Sequence, residues 1–200
     1  MTHRILFSIS VLIALSSCSS PLDSYQRDSD IYRMRHLVNY GELIQEFHAK
    51  TGRYPFQGLS DKTIKVSFVT SEQATEEAVF QSDRVLSISQ EDFRKEVSEG
   101  LNRDVRLWFD PQRSPTSFPL YYLYVLEGDT YFFIVHLGGS YSFAADRGPG
   151  FSQIEISNSP PEHKGFWEFP DLIADPEFNN AVSAIPERNE WFEKLECENR

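Results

Sequence analysis

With 200 residues, 40% of them apolar and 14% aromatic, the chain can bury one sizeable core but is short for two ordinary domains. Thirty acidic residues against 19 basic ones give a formal charge of -11, and an acidic surface of this kind repels nucleic acid and anionic lipid headgroups. Composition therefore excludes both as electrostatic partners and leaves basic proteins or cations, or plain solubility, as what the charge serves.

Arg4 precedes an apolar run from Ile5 to Leu15. That run is shorter than the roughly 20 residues a spanning helix needs, and it reads as a secretory signal. It ends in Leu15-Ser16-Ser17-Cys18, and small residues directly before a cysteine resemble the lipobox of bacterial lipoproteins. The resemblance implies cleavage before Cys18, a lipid on Cys18, and a signal peptide over residues 1–17. Ser19 after the cysteine, rather than aspartate, implies the outer membrane of a Gram-negative cell, with the protein facing the periplasm. Residues 18–29 then hold the lipid anchor and a polar tether, Ser19 to Asp28, which if extended places the domain at most ~30 Å beyond the lipid. Residues 30–200 form a single periplasmic domain. Only two cysteines exist, so a lipidated Cys18 leaves Cys197 without an intramolecular partner, as a buried or a reactive thiol.

Asp30 to Lys50 carries Met34, Leu37, Val38, Gly41, Ile44 and His48 on one side, with Arg35, Asn39, Glu42 and Glu46 opposite. This spacing predicts a long amphipathic helix, stopped by Gly52 and Pro55. Thr63 to Thr70 alternates and predicts a strand, Ser71 to Asp83 a loop or short helix, and Val85 to Ile88 a short strand. Ser89 with Asp92 three residues on predicts a helix N-terminus. Phe93, Val97 and Leu101 form that helix's buried edge, and Gly100 weakens its end. Val105 to Phe109 reads as a strand closed by Asp110-Pro111. Leu120 to Leu126 and Thr130 to Leu137, turning at Glu127-Gly128-Asp129, predict a hairpin central to a sheet and covered at least partly on both faces.

Tyr141 to Phe143 and Phe151 to Ile156 predict two more strands. Phe166, Trp167, Phe169 and Pro170 read as a loop pinned by aromatics. Leu172 to Ala184 and Arg188 to Leu195 predict short helices. The fold expected is α+β, a long N-terminal helix packed on an antiparallel sheet with short C-terminal helices added.

The order Gly52-Arg53-Tyr54-Pro55, Asp110-Pro111, Tyr121 to Tyr124, Gly128, Tyr131, Leu137-Gly138 resembles the pseudopilins of type II secretion and their pilin-like relatives, over roughly Tyr25 to Gly150. It implies a pilin-like fold. The chain departs from that family in having a lipoprotein signal where pseudopilins keep an assembling hydrophobic helix. It departs again in having Gly138-Gly139-Ser140 where the major pseudopilins bind calcium, with Asp146 beside Arg147. The family's calcium site is therefore not carried over, and no metal or other cofactor is expected.

No histidine spacing suited to zinc and no G-x-S-x-G sequence occurs. His48 suits a helix end, and His136 on a central strand requires a hydrogen-bond partner. Glu187, Glu190, Glu193 and Glu196 recur every third residue in the last predicted helix. They are either a solvated face or a docking strip for a basic protein, to which Trp167 adds an aromatic anchor unless it plugs the core. The reading that follows is a lipid-anchored, non-catalytic protein-interaction or envelope-scaffold module. An acidic immunity-type lipoprotein that neutralises a basic periplasmic toxin comes second, and a small envelope hydrolase third.

Overall fold

In the computed structural model, residues 21–70, 82–111, 121–148, 151–159 and 165–183 are described, with side chains of the first helix described from Ser29. Helix α1 runs from Pro21 to Thr51. It starts nine positions before the expected Asp30, so the stretch read as an extended tether is helical from Pro21, a residue suited to the first helical turn. Met34, Leu37, Tyr40, Ile44 and Phe47 are fully buried along its inner face. At its end the Gly52 N–H donates to the His48 carbonyl at 2.8 Å with φ +74°, a left-handed cap that glycine adopts without strain. Tyr54 follows at once, stacked on His48 at 4.4 Å, and the Pro55 carbonyl accepts from the Tyr124 hydroxyl at 2.9 Å.

Strand β1 (Thr63–Phe68) buries Ile64, Val66 and Phe68 on one face, as its alternation predicts. It pairs in parallel with β2 (Val85–Ile88). Helix α2 (Gln90–Leu101) begins as expected: the Ser89 Oγ accepts from the Asp92 N–H at 3.0 Å, and Phe93, Val97 and Leu101 are buried. Gly100 has a packing role beyond weakening the helix, because a Cβ there would lie 2.2 Å from Phe47 Cε2. The glycine lets α2 rest directly on the ring of α1.

Val105 to Phe109 is not a strand. Its main chain is tied to a side chain instead. The Tyr40 hydroxyl donates to the Trp108 carbonyl at 2.8 Å and accepts from the Trp108 N–H at 3.1 Å. Tyr40 thus satisfies groups that a strand would have given to a ladder.

The hairpin is formed by β3 (Tyr122–Glu127) and β4 (Thr130–Leu137). It lies at the centre of a seven-stranded sheet in the order β2-β1-β3-β4-β6-β5, where β5 is Ala145–Asp146, β6 is Ser152–Ser157, and β7 (Phe166–Glu168) also pairs with β6. The sheet is mixed rather than antiparallel, because β1–β2 and β6–β7 run parallel. Parallel neighbours need crossover connections, and these leave no local turn signal. Tyr131, Phe133, Val135 and Leu137 face α1 and are fully buried. On the opposite face Phe132 and Ile134 are half-buried and His136 is buried.

Tyr141 to Phe143 forms a turn, closed by the Ala144 N–H on the Tyr141 carbonyl at 3.1 Å, and the strand expected there is the short β5. The aromatic stretch expected as a loop contains β7 and the start of α3 (Phe169–Ala174). The single helix expected over Leu172 to Ala184 is divided into α3 and α4 (Pro176–Ser183). Asp175 makes the division: its carboxylate accepts from the Phe178 N–H at 2.9 Å and restarts the helix ahead of Pro176. The helix expected at Arg188 to Leu195 lies outside the described residues.

Candidate functional site

Three places bring chemically active groups together. The first is buried where α1 enters the domain. Arg33 donates from Nε and Nη2 to Asp110 at 2.7 and 2.9 Å, and from Nη1 to Asp30 at 2.7 Å. Asp30 also accepts from the Gly138 N–H at 2.7 Å, the Gly139 N–H at 2.8 Å and the Tyr141 hydroxyl at 3.0 Å. Burial opposes charge on Arg33, but its hydrogen bonds to Asp110 and the charges of Asp110 and Asp30 outweigh it and hold the guanidinium protonated. Beside this cluster, His36 Nδ1 lies 2.8 Å from the Tyr122 hydroxyl. Burial first, then the charges of Arg106 and Arg33, push the His36 imidazole down to about 3, so it is neutral. With Asp30, Arg33 and Asp110 at or below 4% exposure, the cluster is closed to a substrate. It joins α1 to the end of β4 and to the segment before Pro111.

The second place is on the sheet face turned away from α1. Glu155 on β6 is buried, with Arg147 Nη2 3.6 Å from its carboxylate. The Gln153 amide donates to Glu155 and accepts from Arg147 Nε. Burial pushes the Glu155 carboxyl up to about 7 against the opposing influence of Arg147. His136, paired in register with Gln153, has Nδ1 3.4 Å from the Tyr121 carbonyl. Burial pushes it down to about 4. A carboxyl that titrates near neutrality beside a neutral imidazole is the kind of arrangement in which functional groups are found. Here, however, Arg147 and Gln153 already occupy the carboxylate.

The third place is a hollow of about 310 Å³ between the segment after α1, β2 and α2, lined by Phe56, Leu59, Ile88, Asp92, Lys95, Glu96 and Glu99. Leu59 is 57% exposed in its wall. Phe56 is held at φ +64°, a conformation that a bulky residue adopts only under constraint from its surroundings.

Of the residues singled out from sequence, Cys18, Glu187, Glu190, Glu193, Glu196 and Cys197 lie outside the described residues. Trp167 is half-buried on β7 against the core, and its indole N–H donates to the Phe143 carbonyl at 3.2 Å, so both ring and N–H are engaged within the chain. His136 has the partner its position required. His48 lies in the last turn of α1, where its position suits a helix end, and its ring also stacks on Tyr54. The Asp30–Arg33–Asp110 cluster, Glu155 and the α2 hollow were not singled out: Asp110 joins Arg33 from 77 positions away, the hollow combines three separate segments, and Glu155 is set apart only by its burial, which no spacing marks. Comparison with protein families, with curated proteins and with solved structures finds no significant match to this chain.

Proposed function

We propose that the chain is a lipid-anchored, non-catalytic module of the bacterial envelope that presents a pilin-like domain to a protein partner in the periplasm. The observation that carries the reading is the path of α1. The helix begins at Pro21, three positions after the lipobox cysteine, and by Asp30 and Arg33 it is fixed to the domain by buried ionic hydrogen bonds. From Pro21 onward the helix and the domain are thus one continuous unit. Eight helical residues before Ser29 add about 12 Å, and residues 18–20 about 10 Å when extended. The domain can therefore stand at most roughly 20 Å from the lipid, nearer than a fully extended tether would allow. Short presentation suits a scaffold that holds a partner close to the outer membrane.

The pilin-like assignment rests on the helix-on-sheet arrangement together with the Gly52 to Pro55 and Asp110-Pro111 sequences. The acidic balance of the chain favours the immunity-type lipoprotein as the second reading.

Affinity capture of the full chain from detergent-solubilised membranes tests the proposal. One stoichiometric envelope protein is expected. A secreted basic toxin in its place selects the immunity reading. Turnover of an envelope polymer with no bound protein overturns both and selects the hydrolase.

A further inference from the structure

Strand β2 ends the sheet, and among the described residues nothing pairs with its outer edge. The Thr63 N–H donates to the Arg84 carbonyl at 3.1 Å. In a parallel ladder this bond turns the main-chain groups of Arg84, Leu86 and Ile88 toward β1 and those of Val85 and Ser87 away from it. The Val85 N–H is taken by the Ser82 carbonyl at 2.9 Å. Among the described residues, the Val85 carbonyl, the Ser87 N–H and the Ser87 carbonyl are left along the edge. Val85-Leu86-Ser87-Ile88 contains no proline and no charge, the features that ordinarily keep an edge strand from pairing.

A hollow borders this edge on each side of the sheet. One, of about 360 Å³, is lined by Ser82, Asp83, Val85 and Ser87. The other is the Phe56–Leu59–Ile88 hollow, whose α2 wall carries Asp92, Glu96 and Glu99 against Lys95; Glu96 is already paired with Arg53 at 2.6 Å, which leaves Asp92 and Glu99 as the carboxylates facing a partner. Side chains of an added strand would point into the two hollows alternately. The acidic wall selects a basic strand, and it disfavours a second copy of this acidic chain.

We propose that the edge of β2 receives an extended segment of a basic partner protein. An apolar side chain of that segment fills the hollow at Leu59, and a lysine or arginine two positions along, on the same face of the strand, meets Asp92 or Glu99. The inference rests on the protein-binding reading above and names the surface that serves it.

The test uses the full chain in detergent micelles and, as probe, the acetylated, amidated heptapeptide Thr-Val-Thr-Lys-Thr-Lys-Thr, which carries valine and lysine on one face, with the same peptide bearing glutamate for lysine as counterpart. Backbone amide signals and hydrogen exchange report the position of binding. The lysine peptide is expected to shift Val85 to Ile88 and to slow exchange of the Ser87 amide. Ser87→Pro removes only the outward N–H, a loss that edge strands tolerate. Leu59→Ser alters an exposed side chain. Each should weaken the lysine peptide about tenfold while the circular dichroism spectrum is unchanged. Equal binding of both peptides, shifts confined to another surface, or no binding at millimolar peptide overturns the proposal. If a protein captured from membranes binds Ser87→Pro and Leu59→Ser as tightly as the parent, the edge is wrong while the protein-binding reading stands.

Discussion

Arg33 grips both carboxylate oxygens of Asp110, at 2.7 and 2.9 Å, across 77 positions of sequence. The fork geometry of a guanidinium on a carboxylate is the strongest form of such a bond. Both groups have left water to make it, so the pair does more to fix where α1 sits than to add net stability. Removing one member is a different matter, because it strands the other's charge in the core.

Arg33→Met leaves Asp30 and Asp110 facing each other without their cation and is expected to cost about 3–5 kcal/mol. Asp110→Asn leaves Arg33 with Asp30 and should cost less. Arg33→Met combined with Asp110→Leu should recover part of the loss, since two apolar side chains replace a desolvated pair. Urea unfolding of the three variants checks the order. A harmless Arg33→Met would show that the cluster is not a structural clamp.

Gly100→Ala sets two effects against each other. Alanine favours the helix by about 1 kcal/mol. Its Cβ, however, would lie 2.2 and 2.8 Å from Phe47 Cε2 and Cδ2, and Phe47 is fully buried and cannot swing clear. Overpacking of this kind costs about 1–3 kcal/mol, so the melting temperature should fall. Adding Phe47→Leu to Gly100→Ala should restore part of the loss relative to Phe47→Leu alone. A higher melting temperature for Gly100→Ala would mean that α2 is free to slide away from α1.

Elements marked by local chemistry were legible in the sequence. Ser89 with Asp92 announces α2, Gly128 turns the central hairpin, and the apolar stripe from Met34 to Phe47 announces α1. Elements defined by distant partners were not. Val105 to Phe109 has the alternation of a strand, yet its main chain bonds to Tyr40, 68 positions away from Trp108. Asp30 lies on a helix that periodicity identifies, but nothing local shows that it receives the Gly138 and Gly139 amides. Glu155 resembles any acidic residue in a strand until Arg147 folds over it. The extension of α1 back to Pro21 was hidden by a polar composition that reads equally well as a tether.

Cys18→Ser tests the anchor. With serine in place of the thiol, labelling with radioactive palmitate should disappear and the unprocessed precursor should accumulate. The folded domain should be unaffected, since among the described residues the core is built from side chains far along the chain from Cys18, from Met34 onward. Palmitate retained by Cys18→Ser would remove the lipoprotein reading and with it the short stand-off from the membrane.

Glu155 makes stability depend on pH in a direction opposite to that of the buried histidines. Its folded pKa is about 7 against an ordinary 4.5, with burial as the main cause. The folded state thus favours the protonated carboxyl. Its stabilising contribution is complete below about pH 4.5 and is lost as pH rises through about 7, a total of about 3 kcal/mol. His36 and His136 are lowered by burial to about 3 and about 4 from 6.5. Their contribution is complete above 6.5 and is lost as pH falls through those values. Between pH 4.5 and 6.5 two histidines therefore work against one carboxyl, and the parent should gain stability with rising pH, less steeply than the histidines alone would give. Glu155→Gln keeps the shape and removes the titration. Its stability relative to the parent should increase from pH 4.5 to 7 by about 1–3 kcal/mol, and its gain with pH should be steeper than the parent's. Unfolding of both proteins by urea at pH 5, 6, 7 and 8 measures the difference. A difference that stays constant across that range would mean that Glu155 is already ionised in the folded state at pH 5, held so by Arg147.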